Sequence, residues 1–158
     1  MEKLDNILVK ILYYICAFLM LQMAVVVTAQ VISRYVFGSP FTWTEELGRY
    51  TFVWVSFLGM AVAIKHGSHI ALDILVKKLN GVSKKALMLL NNALILVFAG
   101  VLTFSGWKLV ELGSRQDSPS LGLPMEYVYL VMPVSGILLF YFMISETVLL
   151  FKGKGENV

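Results

Sequence analysis

Charge is scarce in this chain of 158 residues: Asp, Glu, Lys and Arg make up 15% of it, against 58% hydrophobic residues. The mean hydropathy of +0.78 is far above what one soluble core requires. The single cysteine, Cys16, excludes an internal disulfide and paired-thiol chemistry. The two histidines, His66 and His69, are a poor metal set without further ligands, and they do not supply the facing pair that a haem between helices needs. No G-x-x-x-x-G-K-[S/T] loop occurs, and no nucleophile is paired with a histidine inside an apolar run, so neither ATP hydrolysis nor covalent catalysis has support. No cofactor, metal, nucleic-acid partner or enzymatic activity is expected.

What the chain does have is long apolar runs. Ile11 to Ile32, Ala86 to Trp107 and Tyr127 to Phe151 are nearly free of charge. A run of about 22 residues reaches roughly 33 Å as a helix, enough to cross a hydrocarbon layer. A fourth run, Tyr50 to Ile64, is short alone, but Thr42-Trp43-Thr44-Glu45 before it reads as a capping box that starts the helix near Trp43. The sequence thus predicts a single all-α membrane domain over 1–158 with four transmembrane helices, at about 10–33, 43–65, 86–108 and 125–151. The first apolar run is too long for a signal-peptide core, so Val27-Thr28-Ala29 reads as part of a span and not as a cleavage site.

Four spans place both termini and the central connection on one side. Nine of the 13 Lys and Arg residues fall there and four on the other side, while the ten carboxylates divide evenly. The positive-inside rule then gives an N-in/C-in topology. All three arginines lie in the outer pool, where fixed, bidentate partners suit them, and the inner pool is all lysine. In the central cytoplasmic loop, Leu72, Leu75, Val76 and Leu79 share one helical face and Asp73, Lys77 and Asn80 another, which predicts a short interfacial amphipathic helix over about 70–79. Lys78 and, before the helix, His69 belong to the same segment. A cytoplasmic extension of the second span is the alternative.

The outer end of the second span carries the densest chemistry. Glu45 and Arg49 stand four apart and should pair, Arg34 at the end of the first span should approach Glu46, and Trp43 and Tyr50 fit an aromatic belt. The structural reading is an ion network locking spans one and two; the functional one adds an interface with another subunit or a phospholipid. Glu146 should snorkel or pair with a lysine, and Gln22, Gln30, Asn91 and Asn92 read as interhelical glue. Gly59 and Ala63 give a small-residue spacing suited to close helix packing, and Pro133 is positioned to kink the fourth span.

Two stretches together resemble the small four-helix membrane subunit, DctQ-like, of tripartite ATP-independent periplasmic (TRAP) transporters. One runs from Arg34-Tyr35 through Pro40, Trp43-Thr44-Glu45-Glu46 and Arg49 to Phe52-Val53-Trp54, Phe57-Leu58-Gly59, His69-Ile70 and Asp73. The other is Ser118-Pro119-Ser120-Leu121-Gly122-Leu123-Pro124 followed by Tyr129, Pro133 and Gly136. Spans one and three match in hydropathy alone, and the stretch after Asp73 lacks the proline of the family's amphipathic segment. The resemblance implies a non-catalytic subunit of a secondary, sodium-driven uptake system for an organic acid such as sialic acid or a C4-dicarboxylate, in the bacterial inner membrane. Its implied partners are a large multi-span membrane subunit, whose scaffold it extends, and a periplasmic solute-binding protein. Trp43, Glu45, Glu46 and Arg49, which match the family motif, would serve scaffold integrity, and with Arg34 they form the expected ion network and subunit or lipid interface. Ser39, Pro40, Asp117 and Ser118, by loop position, would help dock the binding protein.

The rivals are a membrane redox or haem enzyme, a lone assembly or chaperone subunit and, first among them, an autonomous homodimeric multidrug-type exchanger. It should hold a carboxylate in mid-span one, where this chain has Gln22.

Overall fold

In a bilayer an unpaired backbone amide or carbonyl costs several kcal/mol, so an apolar run closes its hydrogen bonds within itself as a helix. The computed structural model of the chain describes residues 2–39, 41–65 and 82–151. Among them run α1 (Glu2–Tyr35), α2 (Thr42–Lys65), α3 (Val82–Gly113), the single turn α4 (Glu126–Tyr129) and α5 (Val131–Phe151). Four stretches are long and apolar enough to cross a membrane: Leu4–Tyr35, Thr42–Lys65, Ala86–Gly113 and Glu126–Val148. The segment expected to form the interfacial helix, with His69, Asp73, Lys77 and Lys78, lies outside the described residues, as does Pro40.

The helices form two hairpins, α1 with α2 and α3 with α5, joined where α2 packs on α5. α5 is the central element: half of its apolar span is buried within the chain, against 6% for α1. Leu139, Phe142 and Val131 of α5 pack with Leu58 and Ala61 of α2, Ala99 of α3, and Val9 and Leu12 of α1. The lipid-facing surplus sits on the flanks, where α1 exposes Phe18, Leu21 and Val25, and α3 exposes Leu94, Val97 and Phe104.

The α3–α5 contact is close because Gly136 removes a side chain. A Cβ there would lie 3.0 Å from the Ala99 carbonyl oxygen and would also overlap the Thr103 hydroxyl. Without aqueous hydrophobic drive between helices in lipid, such close approach supplies the dispersion energy of association. Amides add two bridges: the Gln22 side chain donates to the Thr51 hydroxyl at 3.5 Å between α1 and α2, and Asn92 donates to Thr147 at 3.2 Å between α3 and α5. Hydroxyls of Thr28, Thr103 and Thr147 bond the carbonyl four residues back, which keeps them satisfied without water.

Pro133 breaks the fourth span as expected: it stands in the first turn of α5, and the helix is interrupted just before it at Leu130, where the proline has no N–H to offer the Tyr129 carbonyl. One local expectation changes. Among the described residues nothing outside its own stretch of helix comes within 4 Å of a Cβ at Gly59, and Ala63 is exposed. The expected small-residue packing is therefore not made among the described residues.

Candidate functional site

The start of α2 is set one residue earlier than the capping-box reading. The Phe41 carbonyl accepts both the Thr44 N–H at 3.2 Å and the Thr44 hydroxyl at 2.6 Å, and Thr44 is fully buried. Thr42 is already helical, and Glu45 does not fold back to cap: it pairs with Arg49 at 3.0 Å, both side chains 63% exposed. The Phe41 N–H donates to the Ser33 hydroxyl at 3.4 Å, which in turn donates to the Gln30 carbonyl. This chain of bonds ties the α1 end to the α2 start. Trp43 is exposed at this end, its ring stacked on Phe41 with centroids 6.2 Å apart.

Glu46 goes elsewhere than expected. Its two carboxylate oxygens accept the backbone N–H groups of Ser120 and Leu121, each at 3.1 Å, and the residue is 8% exposed. Arg34, which was expected beside it, is exposed and makes no ion pair among the described residues. The loop has taken its place because consecutive amides in an arched backbone form a concavity for an anion, and hydrogen bonds to a charged acceptor are worth about 1.5–3 kcal/mol each.

The arch is built by its own sequence. The Ser118 N–H donates to the Leu123 carbonyl at 2.9 Å, the Gly122 N–H to the Ser118 carbonyl at 3.0 Å, and the Leu123 N–H to the Ser118 hydroxyl at 3.3 Å. Gly122 sits at φ +62°, in the left-handed region that favours glycine. Asp117 bridges to Pro124 across the base of the loop. Ser118 was expected to face a partner, but it is 3% exposed because its backbone and hydroxyl are all used to close the loop. Ser39 and Asp117 are exposed.

A second cluster, which sequence reading missed, lies at the opposite end of the molecule. The Asp5 carboxylate, fully buried, accepts from Lys65 Nζ at 2.9 Å, the Tyr141 hydroxyl at 2.9 Å and the Ser145 hydroxyl at 2.7 Å. Glu146 lies 3.8 Å from the same Lys65 nitrogen, which is the lysine pairing expected of it. Three helices, α1, α2 and α5, thus meet on one carboxylate. A signal for it exists: Asp5 precedes the buried Val9 and Leu12 by four and seven residues, on the face of α1 that enters the core.

Four apolar spans, bridged by amides and closed at each end by a polar cluster, define a multi-pass helical membrane protein. Sequence comparison supplies its family: the profile of the DctQ component of tripartite ATP-independent periplasmic transporters matches residues 23–153, and the chain belongs to that family. A Haemophilus influenzae protein that bears the name TRAP transporter small permease protein is 28% identical over 158 residues, covering 99% of this chain and 98% of its own. The isethionate TRAP transporter permease protein DctMQ of Oleidesulfovibrio alaskensis is 32% identical over 124 residues, 73% of this chain and 20% of that protein. The sialic acid TRAP transporter permease protein SiaT of Haemophilus influenzae is 30% identical over 135 residues, 80% of this chain and 21% of that one. In the latter two, the matching sequence occupies about a fifth of a much longer permease.

Proposed function

We propose that this chain is the non-catalytic small membrane subunit of a secondary, ion-gradient-driven uptake transporter for an organic acid. Sialic acid and C4-dicarboxylates are the solute classes the family resemblance suggests, with sodium as the coupling ion. The observation that carries the reading is the fifth-length match to the permeases DctMQ and SiaT. A sequence that in those proteins belongs to a longer polypeptide should here work beside a separate large membrane subunit. The charged side chains of the described residues gather at the ends of the spans, in keeping with a scaffold role in which solute and ion sites belong to the partner.

The topology that fits is N-in/C-in in the inner membrane, with the interfacial helix at 70–79 on the cytoplasmic face. The loop held by Glu46 then faces the periplasm beside the α1–α2 turn. With Ser39, Pro40 and Asp117 it offers a surface on which a solute-binding protein would dock.

Affinity purification of the tagged chain from its native host in mild detergent, read by native mass spectrometry, tests this. An equimolar complex with a large multi-span protein is expected, along with loss of organic-acid uptake when this chain is deleted. A homodimer without other subunits would overturn the reading in favour of an autonomous exchanger.

A further inference from the structure

Two contacts hold the α1–α2 hairpin at its ends and fix the depth of the turn between them. At one end Lys65 reaches Asp5 at 2.9 Å; at the other the Phe41 N–H reaches Ser33 at 3.4 Å. The 24 residues of α2 lie between, about 36 Å at 1.5 Å per residue. That exceeds the hydrocarbon thickness of about 30 Å and falls short of the roughly 40–45 Å that includes both headgroup layers. With the Asp5–Lys65 end at one boundary, the turn lies in the headgroup layer opposite the termini.

The turn is apolar where a water-facing turn would be polar. Tyr35, Val36 and Phe37 are 79%, 71% and 67% exposed, and Phe41 and Trp43 stand beside them. Ile32, Val25 and Phe18, seven residues apart on one side of α1, are exposed as well and lead from the turn down the apolar flank of that helix. The charge nearby is already apportioned: Glu45 holds Arg49, and Glu46 holds two loop amides. Among the described residues Arg34 therefore stands beside the turn as an exposed guanidinium without a carboxylate partner. A planar, permanently charged fork at headgroup depth, flanked by aromatic rings, matches a phosphodiester. Continuity with the exposed apolar side of α1 argues against a water-soluble protein as the occupant, and the unpaired guanidinium beside it favours a phospholipid headgroup over the apolar face of a multi-span partner.

We propose that this turn is a lipid-binding anchor: Tyr35, Phe37, Phe41 and Trp43 sit in the headgroup layer opposite the termini, and Arg34 holds the phosphodiester of an anionic phospholipid. The test uses the full chain in nanodiscs, with its three tryptophans, Trp43, Trp54 and Trp107, replaced by Phe and a reporter introduced as Phe37→Trp. Tyr35→Trp serves if that variant does not fold. The reporter should be quenched more by lipids brominated near the headgroup than by lipids brominated near the chain end, and aqueous iodide should have little effect. Quenching by iodide, or by neither agent, places the turn in water or under protein and overturns the proposal. In native mass spectra, Arg34→Gln should retain about fivefold less phosphatidylglycerol than the unsubstituted chain, the factor one basic side chain is worth at an anionic surface. Arg115→Gln, an exposed arginine of the loop, is the control; an equal loss in both overturns the Arg34 assignment.

Discussion

Asp5 and Lys65 stand sixty positions apart in sequence and meet at 2.9 Å, the aspartate wholly buried and the lysine side chain 16% exposed. The two hydroxyls from α5 complete the aspartate's shell, so the contact fixes three helices at once. Removing one partner of a buried ion pair leaves a charge without compensation, and the loss is about 3–5 kcal/mol. Asp5→Leu should therefore destabilise the chain in detergent by about 3 kcal/mol, the low end of that range because Glu146 remains near Lys65. Lys65→Met should cost a similar amount. The double variant should recover a large part of the loss in SDS-titration unfolding; simple additivity would show that the pair is not coupled.

Glu46→Ala removes the acceptor for both loop amides. The Ser120 and Leu121 N–H groups should exchange with deuterium at least about tenfold faster, a loosening of roughly 1.4 kcal/mol. Helix amides at Leu58 or Leu139 serve as internal references. Unchanged protection at Ser120 would show that the arch is stable without Glu46. If the loop docks a binding protein, uptake should fall in step with the lost protection.

Arg49→Glu separates fold from interface. The Glu45–Arg49 pair is exposed on both sides, and pairs of this i,i+4 kind contribute only about 0.3–0.5 kcal/mol. Thermal stability of the isolated chain should hardly move. Co-purification with the large subunit, or uptake, should drop if this end of α2 lies at an interface in a low-dielectric setting. Wild-type assembly and uptake in this variant would rule out that role.

Two glycines of neighbouring helices should respond oppositely. Gly136→Val forces a side chain onto the Ala99 carbonyl and should disrupt the α3–α5 hairpin, visible as loss of monodisperse protein on size-exclusion chromatography. Gly59→Val meets open space within the chain and should leave the isolated protein intact. Loss of a complex in Gly59→Val while the isolated chain stays monodisperse would show that another helix covers that side of α2.

The four spans were legible because a bilayer admits few alternatives to a helix over an apolar run of that length. The ends were less so. α1 starts at Glu2 where hydropathy places a span from about residue 10, since Glu2, Lys3, Asp5 and Lys10 lower any windowed average although Asp5 belongs to the buried face. The outer site was half legible: the spacing of Glu45 and Arg49 gives their pairing directly. The partner of Glu46 is a pair of backbone amides 74 and 75 positions away, and no side-chain pattern announces a main-chain donor. Arg34 was assigned to Glu46 by charge alone, which ignores that competition.

The buried aspartate also orders events in time. Its donors Tyr141 and Ser145 lie 136 and 140 positions downstream, and at a synthesis rate of about 5–20 residues per second they follow Asp5 by roughly 7 to 28 s. For the first sixty of those positions the carboxylate has no partner from the chain; Lys65 of α2 then supplies one, and the two hydroxyl donors come only with α5. Only the arrival of the last helix lets that end sink into place. A chain stalled or cut before α5 would keep the acidic end on display, a mark by which membrane quality-control proteases could tell an unfinished protein from a complete one.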